Sequence, residues 1–360
     1  MNDRSRRGFL KLTLASAASL GLADSAATRV LTQPALADAA PGQGSRPRVQ
    51  APAIERRQLG RTDMSVSVLG FGGAEIGYLR TDQASVDVLL NSALDAGLNV
   101  IDTAASYWGS EEAIGKAVAH RRREYFLLTK VGHVVNGEIA WFKGWSDKEI
   151  TQSIERSLRR LRTDRLDVVH LHSCDLKTLK RGEAIEALEK ARKAGKARYI
   201  GYSGDNDAAR WAVDSGRFDT LMTSINIADQ QAIELTLPLA RAKGMGVIAK
   251  RSIANAVWRY DSVKDGMSDA TYWHRLQKLN YEFLRGDARK QQGPGSPADI
   301  ALRFTLAVPG VHIAIVGTSN PDRYRQNAEL LRAGPLPKEL VDSIRARWKE
   351  MAGLSWVGIE

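Results

Sequence analysis

From residue 55 onward the chain alternates short, nearly continuous apolar runs with longer segments whose apolar residues recur every three or four positions. The run Val68-Leu-Gly-Phe-Gly-Gly73 reads as a strand. Asp82 to Ala96 places Val86, Leu89, Leu90, Ala93 and Leu94 on one helical face, with Gly97 as its stop. The rhythm predicts further strands over 99–103, 125–131, 166–173, 197–203, 218–225, 246–251 and 311–317. Helices are predicted over 110–120, 147–162, 183–194, 206–215, 231–243, 297–307 and 321–332, with a longer irregular stretch over 254–296 that reads as a mobile lid. Strands such as Asp167-Val-Val-His-Leu171 are apolar on both faces, as strands covered on both sides must be. Eight strand–helix units within about 280 residues fit a (β/α)8 TIM barrel. A doubly wound open sheet is the competing architecture, and its dinucleotide fingerprint is the discriminator. The only candidate, Gly70-Phe71-Gly72-Gly73, lacks the third glycine at the required offset. Residues 55–67 read as an N-terminal β-hairpin closing one end of the barrel, and an extra helix is expected at the C-terminus.

The first residues follow a different pattern. Arg4-Ser5-Arg6-Arg7-Gly8-Phe9-Leu10-Lys11 is basic, Leu12 to Ala23 is a short run of small apolar residues, and Ala35-Leu36-Ala37 has a small-x-small cleavage pattern. That run is too short to span a bilayer, which takes ~20 residues. The string Ser-Arg-Arg-x-Phe-Leu-Lys resembles a twin-arginine (Tat) export signal. The expected organisation is a signal peptide over 1–37, a Pro/Gly/Ala-rich linker over 38–54 and one barrel domain over 55–360. The Tat translocase would be a transient partner, with the mature protein periplasmic or otherwise exported and without a stable membrane span.

With 43% hydrophobic and 26% charged residues the composition is that of a globular protein, excluding a fibrous or mainly disordered chain. Lys and Arg exceed Asp and Glu by 52 − 41 = 11. The cations are not gathered into aromatic-interleaved runs, so nucleic acid is not an expected partner. The single Cys174 excludes an intramolecular disulfide framework and a Cys-rich metal or iron–sulfur site.

Barrel enzymes carry their chemistry at the carboxyl ends of the strands. There the sequence places Asp102 with Tyr107 in the following loop, then Lys130, then His170 and His172 on one side of their strand. Each residue alone is compatible with a buried ion pair or a satisfied core side chain. Their convergence at adjacent strand ends points to a site.

The segment Asp102-Thr-Ala-Ala-Ser-Tyr107-Trp-Gly-Ser-Glu111, the strand end Leu128-Thr129-Lys130 and the strand Leu166–His172 together resemble the aldo-keto reductase family, in order, over about residues 56 to 332. The resemblance implies an NADP-dependent oxidoreductase that exchanges a hydride with a small-molecule carbonyl or alcohol. Tyr107 would be the general acid, with its pKa lowered from ~10 by Lys130. Asp102 would hold Lys130, and His172 would orient the carbonyl oxygen. It also implies cofactor contacts from Ser203 and Asn226, and from a phosphate loop formed by Gly317, Thr318 and Ser319; Lys250 and Arg251, which depart from the family's pattern, are read as a cation pair able to meet the cofactor phosphates. Arg323 falls at the position of the 2′-phosphate arginine, and Gln326 and Asn327 at adenine-contacting positions. Trp108, Trp141, Trp258 and Tyr260 fall where the family builds its substrate pocket, and Trp145 lies in the same loop as Trp141.

Several positions depart from that pattern. The pair expected after the fifth strand reads Ser203-Gly204-Asp205, so the nicotinamide-gripping asparagine is missing. Met222 stands at a usual glutamine, Lys250 at a usual stacking ring, and Gly317 at a common phosphate-loop lysine. NADP is therefore the expected cofactor, with NAD remaining possible. Two other readings stay open. One is a non-catalytic NADP-binding barrel serving as a sensor or partner subunit. The other is a metal-dependent barrel hydrolase using His170 and His172, for which the remaining histidines supply no evident ligand set; no metal is expected.

Overall fold

The computed structural model describes residues 54–133, 145–264, 268–353 and 355–359. The proposed leader and most of the linker lie outside the described residues. Strands β1 (Arg56–Gln58) and β2 (Ser65–Ser67) form an antiparallel hairpin. Strands β3 (Leu69–Gly72), β4 (Val100–Asp102), β5 (Phe126–Val131), β6 (Leu166–His172), β7 (Ala197–Ser203), β8 (Thr220–Ser224), β9 (Gly246–Lys250) and β10 (Ile313–Gly317) follow. These eight pair in parallel, each with the next, and β10 returns to β3 to close the barrel. The open sheet is thereby excluded.

Side-chain alternation explains what fills the barrel. Val100, Leu128, Val168, Met222, Ile248 and Ile313 form an inner cluster, separate from the outer core under the helices. Leu59, Met64 and Val66 of the hairpin are fully buried in the same cluster, so the hairpin plugs the amino end. At Gly60 a Cβ would lie 2.3 Å from the Gly246 nitrogen, which is why the hairpin turn has a glycine where it seats on β9. The plug covers the amino end and leaves the carboxyl ends of the strands open to carry polar inward-facing side chains.

The helices follow the hydrophobic pattern. Asp147–Leu161 begins with a Ser146/Glu149 capping box and buries Ile150, Ile154, Leu158 and Leu161 along one stripe. The segment expected as one helix over 231–243 is two, Gln231–Leu235 and Leu237–Ala242. Pro238 stands in the first turn of the second, where its missing N–H and fixed φ favour a new start. The stretch read as irregular contains a helix, Ser268–Leu279, with Tyr272, Leu276 and Leu279 buried at helical spacing. It is packed into the core, which corrects the irregular reading over 268–279, while the short helix Gly286–Lys290 in the same stretch has no buried residue. The C-terminal helix Lys338–Ala352 is present, and the chain then returns over the barrel through residues 355–359.

Candidate active site

Asp102, Lys130 and His172 extend the inward-facing rows of β4, β5 and β6 beyond Val100, Leu128 and Val168. Lys130 Nζ donates to Asp102 Oδ2 at 2.6 Å and to the Thr103 carbonyl at 2.8 Å, and both side chains are buried. Tyr107 is placed by a tight turn, its NH bonding the Ala104 carbonyl at 3.0 Å and its carbonyl accepting from Ser110 at 2.7 Å. A Cβ on Gly77 would stand 2.3 Å from the Tyr107 carbonyl, so only glycine lets the short helix Ala74–Tyr78 lie on this turn. The Lys130 ammonium sits 4.9 Å from the Tyr107 ring centroid, and the His172 ring meets the Tyr107 ring edge-on at 5.7 Å. The four residues expected to carry the catalysis, Asp102, Tyr107, Lys130 and His172, therefore share one site. Glu111, the last residue of that motif, acts behind it. Its buried carboxylate accepts from Thr129 at 2.7 Å and fixes the helix Ser110–Val118 against β5.

The electrostatics differ from expectation at Tyr107. Burial pushes its phenol above its ordinary pKa, the Asp102 carboxylate adds to this, and the Arg251 cation opposes it. Burial also lowers Lys130 and raises Asp102, each against the pull of the other. His172 is held neutral: burial depresses its pKa well below the usual range, helped by His133, Lys130 and Lys250. A neutral imidazole has one N–H to give and one nitrogen that accepts. Its Nδ1 lies 3.3 Å from Ser106 Oγ. His170 sits one layer deeper, with Nε2 3.1 Å from Thr220 Oγ1 and its pKa lowered by burial to about 3. A Cβ on Gly201 would be 2.4 Å from this imidazole, so the glycine makes its room. Among the described residues no three His, Cys, Asp or Glu side chains converge as metal ligands, so the hydrolase reading lacks its ligand set.

The next strand ends bear the unusual residues. Ser203 Oγ is buried with no protein partner, an orphaned polar atom beside His172 across the β6–β7 register. Asp205 and Lys250 form an ion pair at 2.8 Å, so the two departures after β7 and on β9 meet each other. Although burial opposes it, the cations of Lys250 and Arg251, with a Ser224 NH at 2.7 Å, hold Asp205 below the usual carboxylate range. Arg251 is in the left-handed region (φ 54°) and donates to Ser224 Oγ at 3.1 Å and to the Ile359 carbonyl. Asn226 donates to the Arg251 carbonyl at 3.0 Å and accepts from the Ala228 NH at 2.8 Å, so its amide braces the loop.

After β10 the backbone turns at Gly317, Thr318 and Ser319. Thr318 Oγ1 accepts from the Asn320 NH at 3.0 Å, and Asn320 Oδ1 from the Asp322 NH at 2.9 Å, before the helix Arg323–Leu331 begins. Such a turn into a helix amino terminus suits an anionic group. Arg323 is half-buried there, Asn327 is buried and Gln326 is exposed. Glu75 faces the turn, with Oε2 3.4 Å from the position of a Gly317 Cβ. Burial raises its pKa against the pull of Arg259 and Arg323.

Of the pocket candidates, Trp108 is half-buried under the Arg80 guanidinium at 5.2 Å from its ring. Trp258 is buried in the hydrophobic core, with Tyr260 packed against that core. Trp141 lies outside the described residues. Trp145 does face the site. Its indole fills the space a Cβ on Gly132 would take and packs at 5.6 Å against His133, whose ring lies 5.2 Å from His172. Sequence reasoning missed Tyr78, 5.7 Å from the Tyr107 ring, as well as His133 and Ser106. The only available signal was proximity, since Ser106 adjoins Tyr107 and His133 follows Lys130 by three positions.

Comparison with known proteins agrees with this geometry. A profile described as the aldo/keto reductase family matches residues 68–349. L-galactose dehydrogenase of Arabidopsis thaliana is 27% identical over 84% of this chain and 97% of its own. A probable voltage-gated potassium channel subunit beta of Oryza sativa subsp. japonica is 27% identical over 81% of this chain and 96% of its own. Among solved structures, the holo form of an aldo-keto reductase from Bacillus halodurans superposes with a TM-score of 0.69 and 28% identity. The match covers 82% of this chain and 96% of that one.

Proposed function

The chain belongs to the aldo/keto reductase family, and on that premise we propose that it is an NADP(H)-dependent oxidoreductase acting on a carbonyl or alcohol at Tyr107. The observation that carries the reading is the buried Asp102–Lys130 pair beneath a tyrosine and a neutral histidine at adjacent strand ends. The chemistry the cofactor supplies when bound is a hydride exchanged with the carbonyl carbon.

The chain's own residues do the rest. A phenol raised by burial stays protonated at neutral pH and has its proton to give. Tyr107 passes that proton to the carbonyl oxygen as negative charge develops there, completing the alcohol. His172, neutral, donates a hydrogen bond to the same oxygen and fixes its position. Lys130 and Asp102 are positioning residues that hold a cation against the tyrosine ring. The unpartnered Ser203 hydroxyl fits the carboxamide of a nicotinamide. The turn from Gly317 to Ser319 and Arg323 would hold phosphate, and a 2′-phosphate near Arg323 favours NADP over NAD. A related structure from Klebsiella pneumoniae, 24% identical, is described in complex with NADP and acetate. Trp145 and His133 wall the substrate side, and Trp108 stands at its edge.

Reduction of a panel of aldehydes, ketones and quinones, followed by nicotinamide absorbance, tests the reading. Tyr107→Phe is expected to lower turnover by about 10²–10⁴-fold, and normal turnover by that variant refutes the acid assignment. A second reading, a non-catalytic NADP-binding subunit, draws support from the channel-subunit relative and from the Asp205–Lys250 pair in place of nicotinamide-gripping residues. Cofactor binding without turnover on any substrate would select it. The basic leader supports export of the folded barrel through the Tat route to the periplasm. Retention of an Arg6→Lys, Arg7→Lys variant in the cytoplasm is the expected result.

A further inference from the structure

After the helix Lys338–Ala352, residues 355–359 run back across the carboxyl ends of β7, β8 and β9. The segment is held by side chains from several elements. Arg275 donates to the Val357 carbonyl at 2.7 Å, and its guanidinium lies 5.2 Å over the Trp356 ring. The Gly358 NH bonds Gln231 Oε1 at 2.9 Å, and its carbonyl accepts from Asn206 Nδ2 at 3.1 Å. The Ile359 NH bonds buried Asp229 at 3.1 Å. Its carbonyl accepts from Ser224 Oγ at 3.3 Å and from the Arg251 guanidinium.

The last contact matters most. Arg251 is also the cation that draws the Tyr107 phenol downward. It adjoins Lys250 and Asp205 at the nicotinamide end of the proposed cofactor site. Gly358 is fitted to this seat, since a Cβ there would stand 2.7 Å from Asp205 Cβ and 3.3 Å from Asn206 Oδ1.

We propose that residues 355–359 are an internal strap that competes with the cofactor for Arg251 and the mouth of β7–β9, so the cofactor binds at full affinity only when the strap lifts. The inference rests on the cofactor reading above. Any group that favours the unstrapped barrel must, by linkage, loosen the strap, and loosening the strap must tighten that group equally. The strap therefore sets how readily the site loads.

Two measurements on the purified full-length chain test this. The first is NADPH affinity by fluorescence titration of the wild type, Gly358→Leu and Gln231→Ala. Gly358→Leu cannot seat against Asp205, and Gln231→Ala removes one anchor while leaving the core intact. The second is hydrogen exchange at the Gly358 and Ile359 amides of the wild type with and without saturating NADPH. The expected result is at least 5-fold tighter NADPH binding by one or both variants, with faster exchange at the two amides when NADPH binds the wild type. Equal affinity in all three proteins, or exchange unchanged or slowed by NADPH, overturns the strap and leaves the cofactor assignment standing. Failure of NADPH to bind any of the three overturns the cofactor assignment, and the competition falls with it.

Discussion

Replacing Lys130 by methionine keeps a stem of similar length and removes the ammonium, so Asp102 is left as a buried carboxylate. Its Oδ1 has no partner already, and Oδ2 would lose its 2.6 Å bond. At that separation and an effective dielectric of ~20, the gross attraction lost is about 6 kcal/mol. Part of it is offset because the ammonium no longer has to be desolvated, while the carboxylate still is. Breaking a buried pair from one side typically costs about 3–5 kcal/mol, or roughly 5–15 °C in melting temperature for a domain of this size. Removing both charges is different. In Asp102→Leu with Lys130→Met, two apolar side chains of similar volume occupy the same space, and most of the lost stability should return.

Activity separates the two roles of the pair. If the pair only holds β4 to β5, turnover recovers with stability in the double variant. If it positions Tyr107 and sets the charge around it, turnover stays lower by about 10²–10⁴-fold although the fold is sound. Thermal unfolding and single-turnover reduction with NADPH on the same preparations read both quantities. A double variant with wild-type turnover refutes the chemical role. A Lys130→Met variant as stable as the wild type refutes the burial argument.

Three further substitutions probe the surroundings. Glu75→Gln removes a carboxylate from the face of the Gly317–Ser319 turn and should tighten NADPH binding about 3–10-fold at low salt, less at high salt; an unchanged affinity under both conditions refutes its proximity to a phosphate. Arg323→Ala should weaken NADPH more than NADH in parallel titrations, and an equal loss removes the 2′-phosphate role. His170, lowered from 6.5 to about 3, is neutral in the folded barrel and charged in the unfolded chain between those values. Its contribution to stability is therefore fully present above pH 6.5 and lost as pH falls toward 3, at up to about 1.4 kcal/mol per pH unit. His170→Asn should flatten the acid side of the melting-temperature profile, and an unaltered slope contradicts the assignment.

The barrel and the central cluster were legible because their signals are local. Each strand is a single apolar run and each helix a single stripe; Asp102, Lys130 and His172 take their places from strand-end position, and Tyr107 from the short turn after Asp102. The helix Ser268–Leu279 had such a stripe as well, in Tyr272, Leu276 and Leu279, but its polar flanks and the glycines after it read as loop. The pocket tryptophans were harder. Trp258 enters the core through a kinked turn in which Asn255 and Ala256 take positive φ, and no sequence period reports that. Trp145 reaches His172 only because Gly132 leaves a space for its indole.

The phenol's tuning fails for a related reason. Chain position places Lys130 near Tyr107 but does not report that burial and the Asp102 carboxylate push the phenol up, or that Arg251 opposes them from the far side of the mouth. The same holds for the cofactor end. Taken singly in the sequence, Asp205 and Lys250 read as two separate departures from the family's pattern. Taken across the closed barrel they are one feature, because curvature brings the ends of β7 and β9 together over β8 and the two charges satisfy each other at 2.8 Å. A substitution of either alone would leave a buried charge without its partner, so the two are physically tied. Ser224, Asp229 and Arg251 beside them hold the Ile359 backbone. The charged ends of β7 and β9 and the returning tail therefore form one polar assembly.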